Sequence, residues 1–539
     1  MAFVSRVPEY LRRHGASWTI RRGFQKLSQR LFRTGDRVWA RRFPAGDELA
    51  SQRKSPPDGP LISVITPVYN TDPAMLRALL DSLSAQTYPR WEAVLYSAGT
   101  REGTENVLRE AAERDPRFRV FTGNENRGIA LNTNAALALA EGEYIALADH
   151  DDVLRPDALY QAAVVISRDH PDMIYSDEDR LTEDGRHHMD PHDKPDFCPE
   201  TLLCANYICH LTLIRRGLIQ NAGGLREGFD GSQDHELFLR LSEQAKTIAH
   251  IPLTLYSWRE VSSSMSHEHL DQCLRSGCRA AEEHLARLGF SAEGVPVDRE
   301  IRLWIDIPRD ASIDAFIFGS TQEECEEGLA MLDFLSPWPS LAASLLVTDS
   351  ENLFSSVNEA AAGSSSDYIL LMDSSLRDIN RHFIRELLMY AQLPGVCAVS
   401  PVITDRKNHI IHGGFRLGGP SLVSCDNENL FVTAGGDHDI MNRVHNVSAV
   451  SPCCALIPRK YLTSGISSLF DAEYRTGLGM ADWCLRQKKT AEARCVFTPH
   501  ASAVLEKSSL LLSGAVRDPD DSARFRAAWG DAPRDPCLR

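Results

Sequence analysis

The sequence lacks the features of several large protein classes. No hydrophobic run reaches the ~18 residues that a membrane-spanning helix needs. Arginines interrupt every apolar stretch before Pro60, so no secretory signal is expected. Basic residues are in deficit, with 58 Lys and Arg against 74 Asp and Glu, which argues against a basic surface for nucleic acid. We therefore expect a cytoplasmic protein without a nucleic-acid partner.

The cysteines are also arranged unlike a disulfide or zinc framework. Thirteen are scattered along the chain without a CxxC pair, and Cys198, Cys204 and Cys209 do not have the spacing of zinc ligands. We expect reduced thiols that are mostly buried.

The chain is long, and its charge is distributed unevenly along the sequence. Its 539 residues exceed the roughly 100 to 200 of one domain, so two or three domains are expected. Residues 1–54 hold thirteen Lys and Arg against four acids, about +9, which leaves the remainder near −25. Apolar residues recur there at helical spacing, at Ile20, Phe24, Leu27 and Leu31. The pattern predicts a basic amphipathic arm, with its linker over 1–58, that lies on an anionic membrane or packs on the protein body.

Beyond the turn-rich stretch Lys54–Pro60, strand and helix patterns alternate. The apolar run Leu61–Pro67 predicts a buried parallel strand. Further strands are predicted over Glu92–Leu95, Arg119–Thr122 and Tyr144–Ala148, and helices over 75–83, 105–113 and 130–140. The alternation indicates an α/β domain with a mostly parallel sheet over 59–290, in which ligands bind at the carboxyl ends of strands.

Three carboxylates follow the last of these strands, in Asp149-His150-Asp151-Asp152. Like charges crowded at a strand end repel one another unless a cation lies among them. The cluster therefore predicts a site for a hard divalent ion and its phosphate ligand. The alternative for Asp152, or for Asp157, is the cap of a helix.

Further polar segments follow along the chain. Asp234 lies in Gly231–Glu236 just before a helical run, where a carboxylate is either functional or only a cap. Tyr175–Asp179 is predicted to be an acidic loop, and Tyr256–Arg259 pairs aromatic rings with a cation suited to a sugar or phosphate. An alternative metal site would use a histidine-rich stretch with His187, His188, Asp190, His192 and Asp193.

Seven short segments, taken in order, carry a family resemblance. They are Pro67–Asn70, Ser84–Pro89, Asn126–Asn134, Gly142–Asp152, Tyr175–Asp179, Gly231–Asp234 and Tyr256–Arg259. In this order they resemble the family 2 glycosyltransferases, inverting enzymes of the GT-A fold, over residues 60–265. The set is most similar to bacterial transferases of O-antigen and other surface polysaccharides.

The resemblance implies a role for each acidic group. Asp149 and Asp151 match the DXD motif, in which the later Asp coordinates Mg²⁺ or Mn²⁺ on the diphosphate of a nucleotide sugar and the earlier faces the nucleoside. Asp234 matches the base that deprotonates the acceptor hydroxyl. Donor-binding positions are implied at Pro67, Val68, Tyr69, Asn134, Asp149 and His150. Acceptor or diphosphate positions are implied at Asp152, Asp177, Glu178, Asp179, Gln233, Trp258 and Arg259.

One family feature is missing from the chain. The family usually carries two Asp residues after the second strand, one of which recognises the nucleobase, and this chain has Ser97-Ala98-Gly99-Thr100 there. The retained metal and base carboxylates favour activity, whereas the identity of the nucleobase stays open.

The chain also repeats itself at an offset of 224 residues. Tyr144 matches Tyr368, Asn134 matches Asn358 and Asp149 matches Asp373. The repeat predicts a second GT-A-like domain over 306–515, preceded by a linker at 291–305 and followed by a tail at 516–539.

The second copy lacks the chemistry of the first. Ser375 stands opposite Asp151, and Met480 stands opposite Asp234. Asp482 remains and is interpreted as a carboxylate at a helix start. We therefore expect a degenerate domain that positions the acceptor or binds a partner.

The leading interpretation is a metal-dependent inverting glycosyltransferase of polysaccharide biosynthesis. It would move a hexosyl or deoxyhexosyl group from a nucleotide sugar to a glycan or lipid-linked glycan, with Mg²⁺ or Mn²⁺ as cofactor, at the inner face of the cell membrane. One alternative is a pseudo-glycosyltransferase that binds glycan or a partner without turnover. Another is a nucleotidyltransferase, disfavoured because Pro67–Asn70 is no Gly- and Arg-rich phosphate loop.

Overall fold

The computed structural model divides into two compact units, the first ending at Leu303 and the second beginning at Trp304. It describes residues 43–99, 101–261, 269–417, 422–425, 428–432, 437–463, 469–506, 509, 511 and 518–530. The predicted amphipathic helix around Ile20–Leu31 lies outside these residues. Among the residues described, no helix combines the length and the apolar character needed to cross a bilayer.

The first unit is built on a nine-stranded sheet. Its strands are β1 (Ile62–Val68), β2 (Trp91–Ser97), β3 (Phe118–Thr122), β4 (Tyr144–Leu147), β5 (Val153–Leu154), β6 (Met173–Leu181), β7 (His188–His192), β8 (Thr212–Arg215) and β9 (Ile248–Arg259). Its helices are α1 (Gly46–Lys54), α2 (Pro73–Ser84), α3 (Glu102–Arg114), α4 (Ile129–Ala138), α5 (Ala158–Asp169), α6 (Pro199–Cys204), α7 (Arg216–Asn221), α8 (Gln233–Ser242) and α9 (Leu270–Arg287).

The strand order explains where a ligand site can form. The order is β3-β2-β1-β4-β8-β6-β9-β5, with β7 paired to β6. Strand β1 runs parallel to β2 and β4, so the carboxyl ends of these three strands share one edge of the sheet. Strand β8 runs antiparallel to β4, which brings the residues just before β8 to the same edge. The predicted α/β class with parallel central strands is confirmed.

Two predicted segments differ from the structure. Tyr175–Asp179 is not a loop but part of β6, because buried partners compensate its carboxylates: Asp177 accepts from Lys194 N at 2.9 Å and contacts His250 Nε2 at 2.8 Å. The segment 291–305 is not a linker. It forms the paired strands β10 (Ala292–Val297) and β11 (Glu300–Ile305), since alternate apolar residues of β11 are buried.

The second unit holds another nine-stranded sheet and a small two-stranded one. Its strands are β12 (Ile313–Gly319), β13 (Leu341–Val347), β14 (Tyr368–Asp373), β15 (Leu376–Arg377), β16 (Val396–Thr404), β17 (Ile410–His412), β18 (Phe415–Leu417), β19 (Val423–Cys425), β20 (His445–Val447), β21 (Cys454–Pro458) and β22 (Arg494–Leu505). Its helices are α10 (Gln322–Leu335), α11 (Leu353–Gly363), α12 (Phe383–Ala391), α13 (Lys460–Thr463), α14 (Leu478–Ala491) and α15 (Pro519–Trp529), with a 3₁₀ turn at Asp437–Asn442.

The second sheet repeats the order of the first with one strand fewer on its main path. Its order is β13-β12-β14-β21-β16-β22-β15, and each pairing is parallel or antiparallel as in the first sheet. In the fully described stretch between β13 and β14 there is only α11, so counterparts of α3 and β3 are missing.

Register and side-chain contacts fix the correspondence between the units. Tyr144 pairs with the first residue of β1, and Tyr368 pairs with the first residue of β12. Asn134 binds the backbone N–H and C=O of Leu225 at 2.9 and 2.8 Å. Asn358 binds those of Phe470 at 3.0 and 2.9 Å. The offset of 224 residues therefore relates equivalent positions.

Candidate active site

The acidic segment after β4 separates into exposed and buried carboxylates. The Asp149 side chain is 39% exposed and that of Asp151 is 25% exposed, at the sheet edge. Asp152 is fully buried, where its carboxylate accepts from Tyr256 Oη at 2.6 Å and from the backbone N–H of Arg259 at 2.7 Å. Asp152 is therefore a buried hydrogen-bond acceptor, and it does not lie at a helix start, so the cap alternative is wrong for it. Its predicted contact with acceptor or diphosphate stays a prediction.

Asp234 comes to the same edge from a distant part of the chain. It is the second residue of α8, behind the N-cap residue Ser232, and its side chain is 21% exposed. Burial raises the pKa of Asp234 to about 6, with Asp149 adding to the rise and His210 opposing it. A carboxyl group with this pKa is ionised near neutral pH and can still accept a proton.

His210 lies between these two carboxylates and is absent from the residues predicted from the sequence. Its Nε2 is 3.4 Å from Asp149 Oδ2 and 3.9 Å from Asp234 Oδ2. The pairing of Leu147 with Thr212 in β4 and β8 carries Asp149 opposite His210. Only the sheet order contains this signal, because β4 and β8 are far apart in sequence.

The pKa values of His210, Asp149 and Asp151 are shifted by burial and by the neighbouring charges. Burial disfavours the charged imidazole, but Asp149, Asp234 and Asp152 together outweigh burial and raise the pKa of His210 to about 10. Burial likewise raises the pKa of Asp149, but His210 and His150 together outweigh burial and the net shift is downward. Burial raises the pKa of Asp151, which His150 only partly offsets. A partly buried carboxylate such as Asp151 gains most from a bound cation.

The exposed carboxylates fit a divalent ion. Asp149 and Asp151 offer hard oxygen donors at a solvent-open edge, as Mg²⁺ and Mn²⁺ prefer. In the described part of the chain, no three His, Cys, Asp or Glu side chains are grouped so that they alone could hold a metal ion. A bound ion would therefore take further ligands from water and from a phosphate-bearing substrate.

The histidine-rich stretch forms separate pairs instead of a metal site. His188 Nδ1 is 3.0 Å from Asp179 Oδ2, and His192 Nδ1 is 3.5 Å from Glu178 Oε1. Asp177 and Asp179 are buried, and their predicted contact with acceptor or diphosphate stays a prediction. Glu178 is anchored by Lys194 Nζ at 3.1 Å.

The residues predicted to bind the donor also include both buried and solvent-accessible side chains. The Val68 side chain is fully buried in the core, and the side-chain amide of Asn134 is hydrogen-bonded to the backbone of Leu225. Tyr69 is 44% exposed at the end of β1, and Pro67 is half-buried. His150 Nδ1 is buried without a hydrogen-bond partner among the described residues. These three remain candidates for donor contact.

Three other predicted residues flank the site. Arg259 is buried and its Nε donates to the Asp151 carbonyl at 2.6 Å, so it shapes the acidic segment from within. The Trp258 ring is half-buried beneath the Arg180 guanidinium, 5.3 Å from the ring centroid. Gln233 has a buried Oε1 without a hydrogen-bond partner in the described part of the chain. At the end of β2, Ser97 and Ala98 are both buried.

The family model described as Glycosyl transferase family 2 matches residues 63–222, which contain β1 to β8 and Asp149. This segment is therefore similar to the family 2 glycosyltransferases. Uncharacterized protein y4gI of Sinorhizobium fredii is 32% identical over 97% of this chain and 62% of its own length. O-antigen biosynthesis protein RfbC of Myxococcus xanthus is 32% identical over 67% of this chain and 30% of its own length. The chain thus spans less than two thirds of each relative.

Among solved structures, residues 1–349 of S. aureus TarS in complex with UDP-GlcNAc are similar, with 20% identity and a TM-score of 0.36. The match covers 44% of this chain and 68% of that chain. The family 2 match covers the segment that carries Asp149 and Asp151 and stops before Asp234, which lies with its Oδ2 3.9 Å from His210 Nε2.

Proposed function

We propose that the first unit is a metal-dependent inverting glycosyltransferase. It transfers a sugar from a nucleotide-sugar donor to a glycan or lipid-linked glycan in polysaccharide biosynthesis. The observation that carries the proposal is the meeting of Asp149 and Asp234 around one imidazole at the carboxyl edge of the sheet. Diphosphate binding and proton acceptance are thereby brought within reach of one substrate.

The proposed reaction is a single displacement. The acceptor hydroxyl oxygen forms a bond to the anomeric carbon of the donor as the bond from that carbon to the diphosphate breaks. Asp234 takes the hydroxyl proton, and the nucleoside diphosphate leaves with the electron pair of the broken bond. A divalent ion held by Asp149 and Asp151 would stabilise the charge on the leaving diphosphate. Because the proposal assigns one base, Asp234, and no nucleophile among the described residues, one inversion is expected.

The similarity to RfbC, named for O-antigen biosynthesis, supports polysaccharide as the product class. The nucleobase is left open by Ser97 and Ala98, which offer no carboxylate to the base. The second unit would be non-catalytic, because Ser375 and Met480 occupy the positions equivalent to Asp151 and Asp234.

The test is donor turnover with Mn²⁺ across UDP-, GDP-, dTDP- and CDP-sugars. We expect release of nucleoside diphosphate that is lost with EDTA and in Asp151→Asn and Asp234→Asn. The matched control is Asp184→Asn, since Asp184 is an exposed loop acid of the same unit. Binding of a nucleotide sugar with no turnover in any acceptor mixture would favour the pseudo-glycosyltransferase. If none of these nucleotide sugars binds, the proposal is contradicted.

A further inference from the structure

The position of the His210 imidazole is set by ring stacking and by the hydrogen bonds of its own backbone. Its ring stacks on Tyr256, with centroids 4.9 Å apart and planes 28° from parallel. Its backbone N–H donates to Glu178 at 3.2 Å, and its carbonyl accepts from Lys194 Nζ at 2.6 Å. The ring therefore has a fixed position that does not depend on the two carboxylates it faces.

The polar contacts of the ring converge on one atom. Nδ1 is buried and has no hydrogen-bond partner among the described residues, whereas Nε2 faces Asp149 at 3.4 Å and Asp234 at 3.9 Å. Two carboxylates this close repel each other unless a donor lies between them. One N–H group can therefore set the separation of the metal-side carboxylate and the base.

The second unit gives an internal comparison. Leu147 pairs with Thr212 in the first unit, and Leu371 pairs with Ala455 in the second. The position equivalent to His210 is therefore Cys453. There the equivalent of Asp234 is Met480, and Asp373, the equivalent of Asp149, accepts from Ser509 Oγ instead. The imidazole is thus present in the unit that keeps both carboxylates and absent from the unit that has lost one.

We propose that His210 is a positioning residue, which holds the donor-side carboxylate Asp149 and the base Asp234 at a fixed separation through Nε2. This role rests on the proposed function, and it requires no contact between His210 and the substrate. The residue acts only through the two carboxylates, so its loss would misplace the base relative to the bound donor.

Two substitutions separate hydrogen bonding from packing. His210→Gln keeps an N–H donor, and His210→Phe keeps the ring stacked on Tyr256. We expect His210→Phe to lower kcat about 100-fold, the size of effect expected from a misplacement of about 1 Å. Donor KM would change much less than kcat, because the main expected loss is the misplacement of the base relative to the bound donor. His210→Gln is expected to recover at least a tenth of the activity. The inference would be overturned if His210→Phe were more active than His210→Gln, or if His210→Phe kept wild-type activity.

A second measurement needs no turnover. Urea unfolding midpoints are compared for His210→Phe, Asp149→Asn, Asp234→Asn and the two double variants that contain His210→Phe. Groups in contact give non-additive shifts, so His210→Phe should lower the midpoint less in each Asn background. Additive shifts in both cycles would overturn the inference even if the wild type turns over donor. A wild type without donor binding would contradict the proposed function and leave these cycles as the test of His210.

Discussion

Ser509 donates its hydroxyl hydrogen to Asp373 Oδ2 across 2.5 Å in the second unit. The other oxygen of Asp373 accepts from the N–H and hydroxyl of Ser375 at 2.9 and 2.5 Å. Asp373 is 3% exposed, whereas its equivalent Asp149 opens to solvent. The acid inherited from the repeat has therefore become an internal hydrogen-bond acceptor.

Asp373→Asn is accordingly expected to leave glycosyl transfer unchanged and to destabilise the second unit. Hydrogen bonds to a buried charged group contribute about 1.5 to 3 kcal/mol each, so we expect a loss of about 2 kcal/mol in the free energy of unfolding. Urea denaturation and donor turnover measure the two effects. Asp149→Asn is the matched comparison and is expected to lose glycosyl transfer. A loss of turnover as large as in Asp151→Asn would show that the second unit takes part in catalysis.

Two buried histidines of the second unit predict a loss of stability in acid. Burial lowers the pKa of His412 to about 3 and that of His445 to about 4, below the ~6.5 of an unfolded chain. Below about pH 6.5 the unfolded state binds protons that the folded state does not. The stabilisation is thus complete above pH 6.5 and falls as the pH drops toward 4, by about 1.4 kcal/mol per pH unit for each histidine.

Urea unfolding between pH 7.5 and 5 measures this dependence. His412→Leu should flatten the slope of stability against pH, because it removes one titrating group from the buried interior. The exposed His382 supplies the control, and His382→Gln should keep the wild-type slope. An unchanged slope in His412→Leu would contradict the assignment.

Local patterns predicted the scaffold, and long-range pairing decided the site. The strand before Asp149 could be predicted because Tyr144–Leu147 is a continuous apolar run, and such runs form central parallel strands. The same rule could not find His210, which reaches Asp149 only through the antiparallel pairing of β8 with β4. The acidic pattern alone also suggested site residues that lie in the interior. Asp152 and Asp177 share the sequence pattern of site carboxylates, but both are buried and accept hydrogen bonds from the protein itself.

The same reasoning corrects the interpretation of Asp482. It does not lie at a helix start but one turn inside α14, where it accepts from Arg486 Nε at 2.8 Å and from Trp529 Nε1 at 2.9 Å. Glu236 and Arg240 form the corresponding pair in α8, with an Nε to Oε1 distance of 2.6 Å. The repeat has thus kept a structural ion pair and replaced the base, a distinction that appears only once the contacts of each carboxylate are known.

The basic arm is expected to bring the protein to anionic membranes. Each basic residue near such a surface contributes about 1 kcal/mol. Helix α1 belongs to the first unit, because Gln52 Oε1 accepts from Thr87 Oγ1 at 2.8 Å and Arg53 donates to the Ala85 carbonyl at 3.0 Å. The informative deletion therefore removes residues 1–42. Flotation with phosphatidylserine vesicles should lose the truncated protein and retain the full chain, with phosphatidylcholine vesicles as the control. Equal flotation of both proteins would contradict the expected role of the arm.

Lys194→Met should damage both stability and transfer, because Lys194 joins the first sheet to the segment that carries His210. Its buried Nζ contacts Glu178 at 3.1 Å and donates to the carbonyls of Ile208 and His210 at 2.5 and 2.6 Å. The Lys194 charge opposes the burial of Glu178 and, with nearby histidines, holds the pKa of that carboxyl down to about 2. Removing one partner of a buried pair costs about 3 to 5 kcal/mol, since the other charge stays buried.

The matched control is Arg168→Met, whose solvent-exposed pair with Asp169 should contribute little to stability. Urea unfolding and donor turnover are measured for both variants. Adding Glu178→Gln to Lys194→Met removes the unpaired charge and should restore part of the stability. It should not restore transfer, because the two carbonyls beside His210 still lack their donor. Recovery of transfer together with stability would mean that Lys194 acts on the fold alone.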